Sequence, residues 1–549
     1  MSILRTLGLW LLLGAAPSFA AELSLPKDLQ GWAAPSFLAA RIELRGAEHL
    51  PQAEQRKLLA PYEGRLLTMA EVQALQDALM AAYAEAGYVQ AQVLLPDQRL
   101  GEGTLRFQIY EGVLGQITVT TDGRLDPAYV QGRLAKVLKG PLRLSTLQQA
   151  LVSAQEDPHI RRLDAALEPG SRPGEGRLRV SVEEAPPWQL GLSMDNHRPE
   201  SIGAESGRLS LRHQNLSGAG DVLSLSLAVS KGSDAGAVSY RRPLNAADAA
   251  LSLYASRDEA QVLEAPFSVL DIESQTDRYG LKLEAPLLDG LRTQVSASIA
   301  VERRRTITKL LGDRFSLAPG AVNGEAGVNA VVLAVDSVHR GEDAVWALRG
   351  ALRRGLRGPG TTERSPGTLI EADGAFLLTL LQGQYERRLG DLWNLKARGL
   401  LQLSRDALLA AEKLSLGGAG TVRGYRENLL VRDNGAGLSL ELARRLGKAD
   451  QAAWLRALQL IAFVDMGVSW DERNASPNST VKDTRRRAQI VGSGFGLRWS
   501  SGRGLGAELF YGYDLYDNFT PGEDPRDGTN SVGLQNQGVH FQLRYERSF

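Results

Sequence analysis

The chain contains no cysteine. That excludes a disulfide framework, a zinc–thiolate site and a cysteine nucleophile. Its six histidines (His49, His159, His197, His213, His339, His540) are scattered without ligand spacing. Beyond residue 20, no stretch reaches the roughly 20 apolar residues of a transmembrane helix, and mean hydropathy is −0.19. There is no charge surplus, with 63 basic against 63 acidic residues. Nucleic-acid binding, which normally brings a basic excess, is not expected. Gly418-x-Gly420 with Gly424 lacks the strand-turn-helix context of a dinucleotide site. Gly492-Ser493-Gly494-Phe495-Gly496 is no nucleophile elbow; inside a strand it marks close backbone approach. Triplets opening at Asn474 and Asn478 resemble glycosylation acceptors, irrelevant if the host is bacterial. No catalysis, cofactor or metal is expected.

What is present begins with Arg5, an apolar run from Leu7 to Gly14, and small residues around Ser18-Phe19-Ala20. This pattern predicts a secretory signal peptide over 1–20. Residues 21–36, broken by Pro26, Gly31 and Pro35, form a lead-in. One pattern then occurs twice, over 37–112 and 113–185. The first copy has a strand at Arg41–Leu44, a short helix at Glu54–Leu59, and a longer helix opened by a Thr68/Glu71 capping box. Val72, Leu75, Leu79 and Tyr83 are its apolar face, and Gly87 ends it. Strands at Val89–Leu95 and Thr104–Tyr110 finish the unit at Glu111-Gly112. The second copy has a strand at Ile117–Val119, helices capped by Asp126 and Ser145, and strands at Leu163–Leu167 and Leu178–Val182, ending Glu183-Glu184. An internal strand-helix-helix-strand-strand repeat behind a signal peptide resembles the polypeptide-transport-associated (POTRA) domain.

After Ala185-Pro186-Pro187 the period changes to two. Leu223, Leu225, Leu227 and Val229 alternate with Ser224, Ser226 and Ala228; Thr293 to Val301 and Leu438 to Leu442 alternate likewise. In the final strand Phe541, Leu543, Tyr545 and Phe549 share one side. An apolar face toward lipid and a polar face toward a lumen describe an outer-membrane barrel, in which closure satisfies every backbone group. Sixteen antiparallel strands are counted from Trp188 to Phe549. Short connections (215–220, 287–290, 389–391, 501–503) alternate with long ones (258–275, 306–322, 358–373, 406–436, 516–533). The short ones are expected in the periplasm. The fold expected is therefore two α+β domains followed by an all-β, 16-stranded transmembrane barrel over 186–549.

The longest connection, 406–436, carries Val422-Arg423-Gly424-Tyr425. An arginine framed by glycines suits a tip folded back into the lumen, where its charge requires a fixed anion. Phe463-x-Asp465-x-Gly467, on a barrel strand, supplies one; paired hydrogen bonds between guanidinium and carboxylate fix geometry as well as charge. These two motifs resemble those of the outer-membrane POTRA-barrel superfamily, in which the loop arginine contacts the strand aspartate. Two POTRA-like units, sixteen strands and a C-terminal phenylalanine resemble the two-partner secretion transporters (the TpsB type), among them those of filamentous haemagglutinin and of haemolysins. Asp195-Asn196 and Tyr240-Arg241-Arg242-Pro243-Leu244 are similar to the same subfamily. The resemblance implies a monomeric pore in outer-membrane lipid, with Phe549 read by the barrel-assembly machinery and a large secreted exoprotein as partner. It implies no nucleic acid and no cofactor. The alternative within the superfamily is a barrel assembly or insertion factor, which usually carries more POTRA domains. Residues 21–36 are shorter and more broken than the pore-plugging helix of many members, so the 406–436 loop is expected to fill the lumen.

Overall fold

The computed structural model describes residues 36–99, 102–317, 321–363, 372–447, 452–472, 487–519 and 533–549. The signal peptide and nearly all of the lead-in lie outside the described residues, as do Asn474 and Asn478. The chain divides into two compact units, Met1–Ala185 and Pro186–Phe549.

The first unit contains β1 (Ser36–Ala39), β2 (Arg41–Arg45), α1 (Gln52–Leu59), β3 (Arg65–Thr68), α2 (Met69–Glu85), β4 (Gln92–Leu94) and β5 (Thr104–Tyr110). There follow β6 (Val113–Thr121), α3 (Pro127–Val137), α4 (Leu144–Gln155), β7 (Ile160–Pro169) and β8 (Glu175–Glu184). The two copies share one three-stranded sheet topology: β2 runs parallel to β5 with β4 antiparallel beyond it, and β6 runs parallel to β8 with β7 antiparallel beyond it. Each copy has its own core, Leu75, Leu79, Tyr83 and Phe107 in one and Val130, Leu134, Leu178 and Val180 in the other. Burying each of these side chains contributes about 1.5–3 kcal/mol.

Helix α2 starts as its sequence directs. The Thr68 hydroxyl accepts from the Glu71 N–H and the Glu71 carboxylate accepts from the Thr68 N–H. At its end the Tyr88 N–H returns to the Tyr83 carbonyl at 2.8 Å, and the Ala91 N–H bonds the Tyr88 carbonyl. Those bonds make 88–91 a turn, so the strand expected from Val89 shrinks to Gln92–Leu94. Ser145 does not cap α4. The helix begins two residues earlier, after Arg143, and the Leu144 N–H bonds the Gly87 carbonyl of the first repeat at 2.9 Å. A carbonyl left over at the end of α2 thus takes a donor left over at the start of α4. Strands β1 and β3, which pair with each other, went unrecognised in the sequence. Each is four residues long, too short to establish a period.

The glutamate that ends each repeat has one structural task. The Glu111 carboxylate accepts from the Glu48 N–H (2.7 Å), the His49 N–H (2.6 Å) and the Tyr83 hydroxyl (3.0 Å). Glu184 accepts from the Arg124 and Leu125 N–H groups. Both hold the segment that follows the first strand of their repeat.

The second unit holds β9 (Trp188–Asp195), β10 (Ser206–Gln214), β11 (Val222–Ser230), β12 (Ser233–Pro243), β13 (Ala250–Gln261), β14 (Ile272–Asp289) and β15 (Thr293–Leu310). A two-residue β16 (Asp313–Arg314) folds back on β15. Next come β17 (Glu325–Arg340), β18 (Ala344–Leu356), β19 (Leu377–Leu389) and β20 (Trp393–Ser404). Within the following loop lie β21 (Leu414–Leu416) and β22 (Leu430–Arg432), paired with each other. The last strands are β23 (Asn434–Arg445), β24 (Leu458–Trp470), β25 (Ala488–Ser500), β26 (Leu505–Asp517) and β27 (Val539–Ser548). Apart from β16, β21 and β22, these are sixteen antiparallel strands, and β27 pairs with β9 to close the barrel. Phe549 completes that seam, its N–H and carbonyl bonding Trp188.

Alternation along the strands separates the faces. Leu227 and Val229 are 58% and 56% exposed on the lipid side, while Ala228 between them is 3% exposed. Short turns at 215–221, 290–292, 341–343 and 501–504 alternate with long connections at the other end. Two places depart from the alternation: a two-residue turn at 231–232 on the long side, and a short helix, α5 (Ala453–Arg456), in the connection after β23. Strands β14 and β15 are 18 residues each, and the connections before and after them are shorter than expected, 262–271 and 311–324. Lys309 and Glu273, both read as loop, continue the ladder as a cross-strand pair at 3.2 Å, beyond Arg257–Asp277 and Arg305–Glu325, each at 2.7 Å, at the expected strand ends. Such pairs stabilise a sheet as apolar ones do.

Glu111 yields a pH test of the first unit. Burial pushes its carboxyl up, but the donors from His49, Tyr83 and Glu48 overcome this and hold it below its ordinary 4.5. A depressed carboxyl contributes stability that is present above pH 4.5 and is lost as pH falls through the lower, folded value. Urea unfolding of 36–185 should show this loss, and Glu111→Gln should reduce it, leaving the share of Glu71 and Asp157, which are also held low, while costing about 2–3 kcal/mol at neutral pH.

Candidate functional site

The connection from β20 to β23, the eleventh and twelfth barrel strands, spans 405–433 rather than 406–436, because the ladder with β20 and β24 already begins at Asn434 and Gly435. It turns inward. Leu416, Val422, Tyr425, Leu429 and Leu430 pack together against Ala488 and Ile490 of β25. The Tyr425 hydroxyl donates to the Tyr516 carbonyl at 2.8 Å.

Arg423 is the largest fully buried side chain of the described residues, 1% exposed. Its Nε and Nη2 donate to the two oxygens of Asp465 at 2.7 and 2.8 Å, and its backbone N–H donates to the same carboxylate at 3.0 Å. Nη1 donates to Glu441 at 2.7 Å and Nη2 also reaches the Ser439 hydroxyl at 3.2 Å. Every face of the guanidinium is occupied: its carbon lies 3.7 Å from the Phe463 ring centre and 4.9 Å from that of Phe510. Glu441 in turn meets Arg398 at 3.3 Å and Arg498 at 3.4 Å, so the wall balances the second carboxylate with cations of its own.

The strands place these groups by register. Ser439 pairs with Asp465 and Glu441 with Phe463 across β23 and β24, which puts all four on one inward face. Glycines on the wall admit the loop backbone. A Cβ on Gly492 would stand 1.8 Å from the Arg423 carbonyl oxygen, and one on Gly512 would stand 2.5 Å from the Gly424 nitrogen. Gly424 itself has φ of +97°, a conformation that a side chain strains. A Cβ on Gly467 would lie 3.1 Å from Val422, so that glycine makes room beneath the tip.

The structure therefore brings together Val422, Arg423, Gly424 and Tyr425 with Phe463, Asp465 and Gly467, and leaves Phe549 apart from them at the barrel seam. Sequence reasoning did not single out Ser439, Glu441 and Phe510. Their signal was available for Glu441: a carboxylate on the polar side of an otherwise Leu-Ser-Leu strand. Phe510 had none, because its place opposite Phe463 arises from three strands crossing the barrel wall.

Removing Arg423 or Asp465 strands a buried charge, at a cost of about 3–5 kcal/mol. Arg423→Ala, Asp465→Ala and Gly492→Ala should each release the loop tip, the last by backbone collision alone. Ion conductance in a planar bilayer should rise in all three. A protease cut within 417–427, absent from the wild type, should report the same release.

Residues 174–499 match the family of haemolysin secretion/activation proteins ShlB/FhaC/HecB, and residues 37–112 match the ShlB-type POTRA domain. The outer membrane transporter CdiB of Dickeya dadantii (strain 3937) is 23% identical over 502 residues, which covers 90% of this chain and 85% of that protein. CdiB of Escherichia coli O6:K15:H31 is 25% identical over 504 residues, covering 88% and 80%. Among solved structures, CdiB from Escherichia coli superposes with a TM-score of 0.65 at 20% identity, covering 96% of this chain and 93% of that one. BamA from Haemophilus ducreyi lacking POTRA domains 1–3 superposes at 0.55 with 13% identity, covering 93% and 100%, a likeness of fold alone. With its POTRA domain, sixteen-stranded closed barrel and family match over more than half its length, the chain belongs to the ShlB/FhaC/HecB family and is an outer-membrane transporter of the two-partner secretion type.

Proposed function

We propose that this pore exports one large exoprotein of the adhesin, haemagglutinin or haemolysin type from the periplasm to the cell surface. The observation that carries the reading is the buried seat of Arg423: a long loop is folded into the lumen and held there by charge, as a gated polypeptide pore requires and a passive porin does not. In this reading residues 1–20 direct export to the periplasm. Residues 37–112 and 113–185 are two POTRA domains that receive the unfolded partner, and 186–549 form the pore. The edge strand β7, 10 residues long, offers free backbone groups to an extended segment. Sixteen strands enclose an aqueous lumen, wide enough for an extended chain or hairpin but not a folded globule. Folding of the partner outside supplies direction, since the outer membrane offers no ATP. The pore works as a monomer in lipid, and Phe549 marks the chain for the barrel-assembly machinery.

Arg423 and Asp465 set the resting position of the loop. Arg423→Ala and Asp465→Ala should each lower secretion of a co-expressed partner at least about tenfold, the scale of a loss above 1.4 kcal/mol, while the barrel still inserts. Deleting the gene should remove one large exoprotein from the surface. A general loss of outer-membrane barrels after deletion would instead identify an assembly factor and end the export reading.

A further inference from the structure

The same loop is held at a second place on the wall. Glu412 lies in a short turn, Ala410–Glu412, at the start of the loop, and its side chain is 4% exposed. Arg353 of β18 approaches its carboxylate with Nε at 2.7 Å and Nη2 at 3.1 Å. Arg304 of β15 reaches the same carboxylate at 3.1 Å and also donates to the Ala411 carbonyl. Beneath them Glu302 of β15 accepts from Arg353, from Arg278 of β14 at 2.5 Å and from the Tyr254 hydroxyl of β13. This cluster sits on the fifth, sixth, seventh and ninth barrel strands, whereas Arg423 is held by the twelfth and thirteenth.

The charge count differs between the two places. At the Arg423 seat the loop brings the cation and the wall brings the carboxylates. At the Glu412 seat the loop brings a carboxylate to a wall that is already cationic. Arg278, Arg304 and Arg353 against Glu302 leave that wall at +2, and Glu412 lowers it only to +1. If Glu412 leaves, Arg353 and Arg278 keep Glu302 as a partner, whereas Arg304 loses both of its loop contacts. Arg304 and the freed edge of Arg353 are then cations in need of another carboxylate. The groups that Ala411 and Glu412 present, one peptide carbonyl and the next carboxylate, are those of any extended acidic peptide.

We propose that Glu412 is an internal stand-in for an acidic side chain, and that the Arg304–Arg353 cradle binds carboxylates of the exported polypeptide as it passes. This rests on the reading of the barrel as a protein-export pore. The cradle then serves as a station on the wall where the chain displaces the loop, carboxylate for carboxylate. A forked guanidinium is suited to that exchange, because it recognises the carboxylate and not the surrounding sequence.

The test is block of ion current through the full-length protein in planar bilayers by short polyglutamate, with polyglutamine of the same length as control. An internal ligand that occupies the cradle weakens an external one by its occupancy. Glu412→Gln should therefore lower the half-blocking concentration of polyglutamate on the order of tenfold and leave polyglutamine unchanged. Adding Arg304→Gln and Arg353→Gln should return polyglutamate to the level of polyglutamine. Equal block of the wild type and Glu412→Gln, or block that survives loss of both arginines, would overturn the proposal. If Glu412→Gln fails to insert as a heat-modifiable barrel, Glu412→Asp carries the test. Its shorter arm should move the half-blocking concentration the same way by a smaller factor, and no movement overturns the cradle. Export of a co-expressed partner is scored separately. Intact export without polyglutamate preference sinks the cradle alone, whereas absence of any exported partner sinks the reading of the pore.

Discussion

A guanidinium cannot leave water without a counter-charge, and the seat of Arg423 is organised around that rule. Asp465 takes two of its nitrogens, Glu441 a third, and two phenyl rings its faces. Such a pair adds little net stability once desolvation is counted. What it fixes is position. An apolar loop tip could slide along an apolar wall, but a forked ion pair with defined angles has one place to sit. The glycines of β25 and β26 follow from the same need, because the backbone must come within contact distance of the wall before the guanidinium reaches its carboxylate.

The barrel supplies what that pair demands. Lipid outside forces every backbone group into the ladder, and closure between β27 and β9 removes the last edge. The period of two then sends polar residues inward, so a carboxylate at Asp465 or Glu441 costs nothing on the lipid face. The lumen becomes a polar, confined space in which charges on a returning loop find fixed partners on several strands. Arg423 and Glu412 use that space with opposite signs, on different parts of the wall.

The periplasmic repeat shows the same economy in soluble form. A glutamate at the end of the last strand holds the segment after the first strand in each copy, through Glu111 and Glu184. The two copies join where the carbonyl of Gly87 accepts from Leu144 and the Tyr88 hydroxyl accepts from Arg143. Leftover groups at helix ends are used as joints, which explains why a cap expected at Ser145 is missing.

Local chemistry was enough to read much of this from the chain. Period two over leucine-rich segments fixed the strand count. The Thr68/Glu71 box opened α2, and Asp126 opened α3. Arg423 and Asp465 could be paired in advance because an aspartate on an apolar strand suits a guanidinium and because the two motifs resemble those of the POTRA-barrel superfamily. The rest depended on neighbours distant in sequence. Strands β14 and β15 run past their expected ends, where Glu273 finds Lys309, a partner that no local pattern announces. Glu441, Phe510 and the cradle around Glu412 are assembled from strands far apart in the chain, by a register and a closure that only the complete barrel sets. Sequence by itself pointed to one loop cation and one wall carboxylate as partners; tertiary structure decided the remaining contacts, because they depend on which side chains the closed sheet brings within hydrogen-bond distance.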